Sequence, residues 1–259
     1  GGYFYAKARL FLENLIDMSV ISIDTAEGLF LYQRLNNTEN KIIAISTKVD
    51  LKGYLWGVGL KGYFITEWKK GRQVYSFDLR GLDHNFLILR ETLLVVYALA
   101  RTLGIAPKNI LSNCAGFKPL AHRNEKVDVI DGVTFVNDSK ATNVDATSYA
   151  LKIHKNVHLI LGGQAKENNF DQLKFNIENV SRIYLIGEAA PLIAKSFVDH
   201  KIEQCDTLNK AFDRAITNAK EGDTILFSPA CASFDQYFNF EERGKHFISL
   251  VKEYRKNII

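Results

Sequence analysis

The glycine-rich loop GxxxxGK[ST], whose backbone N–H groups and lysine cradle nucleotide phosphates, occurs nowhere in this sequence. That device for gripping a triphosphate is therefore outside the chain. Cysteine is scarce as well: Cys114, Cys205 and Cys231 are far apart and form no CxxC pair, which excludes a disulfide framework and a zinc ribbon and points to a reducing compartment. The longest apolar run, residues 93–100, falls well short of the roughly 20 residues a bilayer needs. The first residues also have no cleavable signal pattern. A cytoplasmic chain with no membrane partner is expected. Nor do the charges form a basic stripe. The 33 Lys and Arg are interspersed with 29 Asp and Glu, for a net charge of +4, so counterion release has little to build on and no nucleic-acid partner is expected.

What is present suits folded domains. With 259 residues, 47% hydrophobic and 24% charged, the chain can bury a core without staples, and two units are the better division. Residues 3–17 space Phe4, Leu10, Phe11 and Ile16 as an amphipathic helix does. Residues 20–23 and 41–46 read as strands, and 62–79 alternate about Lys69, Lys70 and Gly71 as a hairpin. Residues 86–103 turn helical and stop at Gly104. This half predicts a mixed sheet with helices. Beyond Pro119, the apolar runs 133–136, 157–161, 182–186 and 224–227 are separated by helical stretches, the rhythm of a parallel sheet with crossover helices. The boundary is placed near residue 121, giving units 1–120 and 121–259.

In an open parallel sheet, ligands bind beyond the carboxyl ends of the strands, where loops and free helix N–H groups converge. Asn137 to Asn143 follow the first run, Gly162 to Lys166 the second, and Ser228 to Ser233 the last. Hydroxyls, Lys140 and Lys166 thus gather at one end, a set suited to carboxylate or phosphate oxygens. Any one of these loops is equally well explained by turn and cap chemistry; the three together favour a site. Other motifs carry less. Gly57, Gly59 and Gly62 satisfy GxGxxG, with Asp78 at a tempting distance, but a hairpin pattern follows where a dinucleotide fingerprint needs a helix. His154 and His158 stand four apart, yet 157–161 reads as a strand, off a common helical face. Cys231 has no neighbouring histidine to activate it.

The strings NDSKATN at 137–143, SPACASFDQYFNFEERG at 228–244 and AHRNE at 121–125 resemble the Mur ligase family, in its D-glutamate-adding branch. YAKARL at 5–10 resembles the family's central-domain lysine segment, and 81–85 its Gly-x-His-Asn element. The resemblance implies an α/β chain: part of the central ATP-binding domain over 1–120, then a Rossmann-like C-terminal domain over 121–259. It implies a reaction too. ATP phosphorylates the terminal carboxylate of UDP-N-acetylmuramoyl-L-alanine, and the amine of D-glutamate displaces the phosphate through a tetrahedral intermediate. By resemblance, Lys7 is the lysine carbamylated to place Mg²⁺, which prefers hard oxygen ligands. Asn85, Arg123, Asp138 and Lys140 match ATP-contacting positions, and Thr142, Lys166, Ser233 and Phe240 match the D-glutamate pocket. His122, beside Arg123, is as readily structural as functional. Thr92 stands where the family has a second asparagine, and the helix between Asn85 and Gly104 is about one turn longer than the family pattern. The family's phosphate loop lies upstream of Lys7, so the chain is expected to begin inside the central domain. The alternative is a non-catalytic remnant, or one half of a split ligase that needs a separate N-terminal polypeptide.

Overall fold

Every residue of KIIAIS after Lys41 is buried, a pattern that requires cover on both faces of a strand. In the computed structural model, which describes residues 2–13, 16–36, 41–80, 90–114, 120–166 and 168–258, this segment is strand β2, Lys41–Ser46. It lies between β1 (Met18–Ser22) and β3 (Trp56–Lys61), parallel to both. The chain divides into two units, Gly1–Lys118 and Pro119–Ile259.

In the first unit the sheet runs β1-β2-β3-β4-β5, with β4 (Phe64–Lys69) and β5 (Arg72–Asp78) antiparallel. The period-2 alternation of β2 sorts its side chains. Ile43 and Ile45 pack with Leu93, Leu94 and Tyr97 of α3 (Arg90–Thr102) and Ile110 and Leu111 of α4 (Pro107–Cys114). Ile42 and Ala44 pack with Leu31, Tyr32 and Leu35 of α2 (Ala26–Leu35) and with Ala8 of α1 (Gly2–Leu12). α1 is shorter than the 3–17 expected from spacing, and residues 14 and 15 lie outside the described set, as do 86–89 ahead of α3. The GxGxxG glycines fall in β3 and the turn after it. A Cβ on Gly57 would come within 2.5 Å of Leu51 Cβ, so this glycine admits a packed leucine rather than a pyrophosphate.

The second unit is a sheet in the order β10-β9-β8-β11-β7-β6. β7 (Val133–Asn137), β8 (Val157–Gly162), β9 (Val180–Ile186), β10 (Ile202–Asp206) and β11 (Thr224–Phe227) are parallel. Leu159, Leu161, Ile183, Leu185 and Leu226 face α5 (Val144–Ile153), the 3₁₀ helix Asp171–Asn179 and α6 (Ala190–Ser196). The alternate residues Ile160, Tyr184, Ile186, Ile225 and Phe227 face α7 (Leu208–Asn218) and α8 (Phe240–Ile258). The sheet departs from the all-parallel expectation at one edge, where β6 (Glu125–Ile130) pairs antiparallel with β7. The cause is local. Asp131 and Gly132, at φ 49° and 75°, form the two-residue Asp-Gly turn that closes hairpins. β10 also escaped the sequence reading, because an edge strand with one buried residue in IEQCD has no apolar run.

Among the described residues of the first unit, one carboxylate is completely buried. Glu67, 0% exposed, accepts from Arg101 Nε at 2.9 Å, Tyr97 Oη at 2.9 Å and Trp56 Nε1 at 3.0 Å. Burial alone would raise its pKa, but the donors, led by Arg101, hold it below the ordinary value. The stability it confers is thus present above the unfolded carboxyl value of about 4.3 and is lost as pH falls through the lower folded value. Glu67→Ala is expected to destabilise the first unit by about 3 kcal/mol at neutral pH, by orphaning the three donors. Urea unfolding with midpoints for both units checks this, and an unmoved first transition rules it out.

Candidate functional site

The strand order makes neighbours of the three loops that carry chemistry. β11, the last strand in sequence, inserts between β8 and β7, so the segments after β7, β8 and β11 leave side by side at the carboxyl edge of the sheet. The reversal of winding direction at this point is where open α/β sheets place ligands.

Main-chain bonds join the three loops. Asp138 N–H donates to Phe227 O at 2.8 Å, and Gly162 N–H to Pro229 O at 2.9 Å. Gln164 and Ala232 exchange both N–H···O bonds at 2.9 Å, so Lys166 and Ser233 lie two residues and one residue beyond a shared bridge. Gly163, at φ 135°, permits this approach, since a Cβ there would fall 2.4 Å from Ala232 O. Lys166 is exposed and Ser233 buried. Thr142 is half-buried, its N–H donating to Lys140 O at 2.9 Å. Asn143 caps α5 by accepting from Ala146 N–H at 2.9 Å, the role its residue type predicts.

Arg243 holds the loops together from beneath. Its side chain is 1% exposed. Nη2 donates to Ser139 O at 2.9 Å and Cys231 O at 3.0 Å, Nη1 to Ala232 O at 3.1 Å, and Nε to Ser139 Oγ at 3.1 Å. Burial lowers its pKa to about 10, so it remains charged at neutral pH, solvated by carbonyl dipoles and by the Phe227 ring 5.7 Å away. Arg243 lies within the 228–244 string but is not among the candidate residues that the resemblance supplies. Its signal is positional: Arg243, Phe247 and Val251 are buried at helical spacing along α8, so an arginine occupies the apolar stripe.

Asp138 is buried as well. It accepts from Ser228 Oγ at 2.7 Å and from Asn124 N–H at 3.0 Å. Desolvation raises its pKa to about 6, against the lowering effect of those donors and of the Arg123 charge. Arg123 and Lys140 are exposed. Lys140 Nζ sits 4.8 Å from the centroid of the Phe240 ring, and Phe240 opens α8 behind Asn239, whose Oδ1 accepts from Glu242 N–H at 2.7 Å.

Among the sequence-selected residues, Arg123, Asp138, Lys140, Thr142, Lys166, Ser233 and Phe240 all belong to the second unit, on or beside these loops. Lys7 is an exposed residue of α1 in the first unit, and Asn85 lies outside the described residues. His122 is buried. His158 sits in β8, bonded to Tyr184 Oη at 3.0 Å and Asp223 Oδ2 at 3.2 Å, whereas His154 follows α5 and meets Asn124 Oδ1 at 2.6 Å; the two histidines share no helical face. Cys231 is buried. Among the described residues, no helix is long and apolar enough to cross a membrane.

Residues 122–231 match the family model described as Mur ligase, glutamate ligase domain. The chain is 41% identical over 261 residues to the UDP-N-acetylmuramoylalanine--D-glutamate ligase of Cereibacter sphaeroides strain ATCC 17025, an alignment covering 97% of this chain and 55% of the relative. Residues 122–231 thus match the Mur ligase family, and the likeness to these relatives runs over nearly the whole of this chain. The ligase of the same description from Dinoroseobacter shibae is 42% identical, covering 98% of this chain and 55% of that protein. The chain thus spans about half the length of the curated relatives it matches. Among solved structures, the UDP-N-acetylmuramate-alanine ligase MurC of Thermotoga maritima superposes with a TM-score of 0.60 at 12% identity, covering 96% of this chain and 62% of that one. The MurF ligase of the same organism, solved with ADP, gives 0.59 at 17% identity, covering 95% and 65%. Both likenesses establish the Mur ligase α/β fold.

Two outcomes are expected of this geometry. Asp138 titrates, by carboxyl carbon NMR, near pH 6, and Ser228→Ala raises that value further by removing a donor to the ionised form. Because the folded value is raised, the carboxyl's contribution to stability is present below the unfolded value of about 3.9 and is lost as pH rises through about 6; a midpoint near 4 contradicts this. Arg243→Lys, which cannot reproduce the planar fork, lowers the stability of the second unit by about 2 kcal/mol or more in urea unfolding, and an unchanged midpoint contradicts the clasp.

Proposed function

We propose that the second unit is the amino-acid-accepting domain of an ATP-dependent ligase that joins D-glutamate to UDP-N-acetylmuramoyl-L-alanine in peptidoglycan precursor synthesis. The observation that carries this reading is the side-by-side placement of the β7, β8 and β11 loops, bonded to one another at Gln164 and Ala232 and clasped by Arg243. The relatives described as D-glutamate ligases support it at about two residues in five.

In this reading Lys166 pairs with a carboxylate of D-glutamate, Thr142 and Ser233 supply hydroxyls, and Phe240 provides an apolar wall. Arg123, Lys140 and Asp138 contact ATP: the cations offset phosphate charge, and the raised Asp138 carboxyl accepts a hydroxyl proton donor once ionised; Asn85, outside the described residues, is assigned to ATP by resemblance alone. The carboxylate of the muramoyl substrate attacks the terminal phosphorus of ATP and ADP leaves. The neutral amine of D-glutamate then adds to the acyl carbon, and the tetrahedral intermediate collapses with loss of inorganic phosphate and a proton. Fixing the amine is the part that this unit's loops are built for. Magnesium, with a carbamylated Lys7 among its oxygen ligands, belongs to the same reading. Among the described residues no group of three or more His, Cys, Asp or Glu is arranged to hold a metal ion, so those residues do not by themselves make up a magnesium site. A cytoplasmic setting follows from ATP as co-substrate.

Calorimetry of the chain with D-glutamate tests the reading. Lys166→Ala is expected to weaken binding by ten- to a hundredfold, the loss of one charge-assisted hydrogen bond worth about 1.5–3 kcal/mol. No heat from folded wild-type chain at millimolar D-glutamate, or an unaffected Lys166→Ala variant, sinks it.

A further inference from the structure

Lys140 is gripped twice, and both grips lead to one residue. Its backbone N–H donates to His122 O at 3.0 Å, and its ammonium rests 4.8 Å from the centre of the Phe240 ring. The His122 ring meets that same Phe240 ring edge-on, centroids 6.4 Å apart at 79°.

His122 is itself fixed on every side. Its backbone is left-handed, φ 63°, an uncommon conformation for a residue with a side chain, although one in which histidine, asparagine and aspartate are enriched. Its N–H donates to Glu125 Oε2 at 2.8 Å, and its Nδ1 lies 2.9 Å from Asn137 Nδ2. Its ring fills the space that a side chain at Gly244 would take, since a Cβ there would fall 2.3 Å from Nδ1. Phe240 is tied from its other end, its carbonyl accepting from Ser139 Oγ at 2.8 Å.

We propose that His122 is a positioning residue: its carbonyl sets the Lys140 backbone, and its ring edge sets the Phe240 face on which the Lys140 ammonium waits. The cation is thereby held at the rim before any anion arrives. A ring face is a weak partner for an exposed ammonium compared with a carboxylate or phosphate oxygen, so an incoming anion takes the ammonium over without breaking an ion pair to any of the described residues. The proposal deepens the ligase reading and rests on it for the anion, but not for the geometry.

The full chain labelled with ¹³C-lysine, with Lys140→Arg for assignment, tests it without ligand. The Lys140 ε-methylene is expected upfield of the other lysines because of the Phe240 ring current, and Phe240→Leu returns it to their envelope. His122→Asn keeps the left-handed backbone, which asparagine tolerates, and removes the ring; the signal is expected to move most of the way back, with His122→Phe restoring it. Gly244→Ala, which displaces the ring from the other side, gives the same shift should His122→Asn fold poorly. A Lys140 signal within the envelope in the wild type, or one indifferent to His122→Asn and Gly244→Ala, overturns the proposal. Addition of D-glutamate or of inorganic phosphate is then expected to move the signal toward the envelope. An intact upfield signal that neither probe moves overturns the anion reading and leaves the positioning by His122 supported.

Discussion

A single guanidinium on the first turn of α8 makes the loops after β7 and β11 one body. Arg243 spans about a hundred residues of sequence to reach Ser139 and closes on Cys231 and Ala232. Two of its acceptors, Ser139 O and Cys231 O, are backbone carbonyls of loops turning away from the sheet edge, outside any helix or strand ladder; a third, Ala232 O, also accepts from Gln164 N–H. Left alone in the interior, either of the first two would be a liability. The arginine's planar fork answers them together, and the cost of burying its charge is met by their dipoles. The loops at the carboxyl edge can therefore be irregular, as a binding site requires, and still be fixed.

The buried carboxylates of the two units are handled differently. Glu67 is surrounded by Arg101, Tyr97 and Trp56 and held below its ordinary pKa: a saturated group with a structural role. Asp138 has two donors, not enough to offset its desolvation, and its pKa is raised. An under-satisfied carboxylate beside exposed Arg123 has acceptor capacity left for an incoming molecule.

How far these features could be read from the sequence depended on their range. β8 and β11 are continuous apolar runs buried on both faces, and such runs announce themselves. The GxGxxG of β3 was correctly set aside because the alternation after it belongs to a hairpin. β10, with one buried residue, offered no pattern to find, and β6 was hidden by the absence of an apolar run, although Asp131-Gly132 marked its turn. The loop motifs were legible as turn-and-cap strings and by resemblance. Their mutual contacts were not, since the adjacency of β8, β11 and β7 and the reach of Arg243 are tertiary facts that no local window contains. His122 is the sharpest case: its placement rests on a left-handed backbone and on the room for its ring that Gly244 leaves by lacking a side chain, neither of which a residue type reveals.

The insertion of β11 between β8 and β7 has a consequence for the birth of the protein. On the ribosome, β7 and β8 emerge some sixty to ninety residues before the strand that must separate them, and until then each has an open edge facing the other. The growing chain must keep that slot from closing on itself, and the sheet's centre is its last part to be completed. Folding of this unit is thus a matter of non-local pairing and late closure, and a chain cut short of Thr224 would leave the sheet with a gap between β8 and β7.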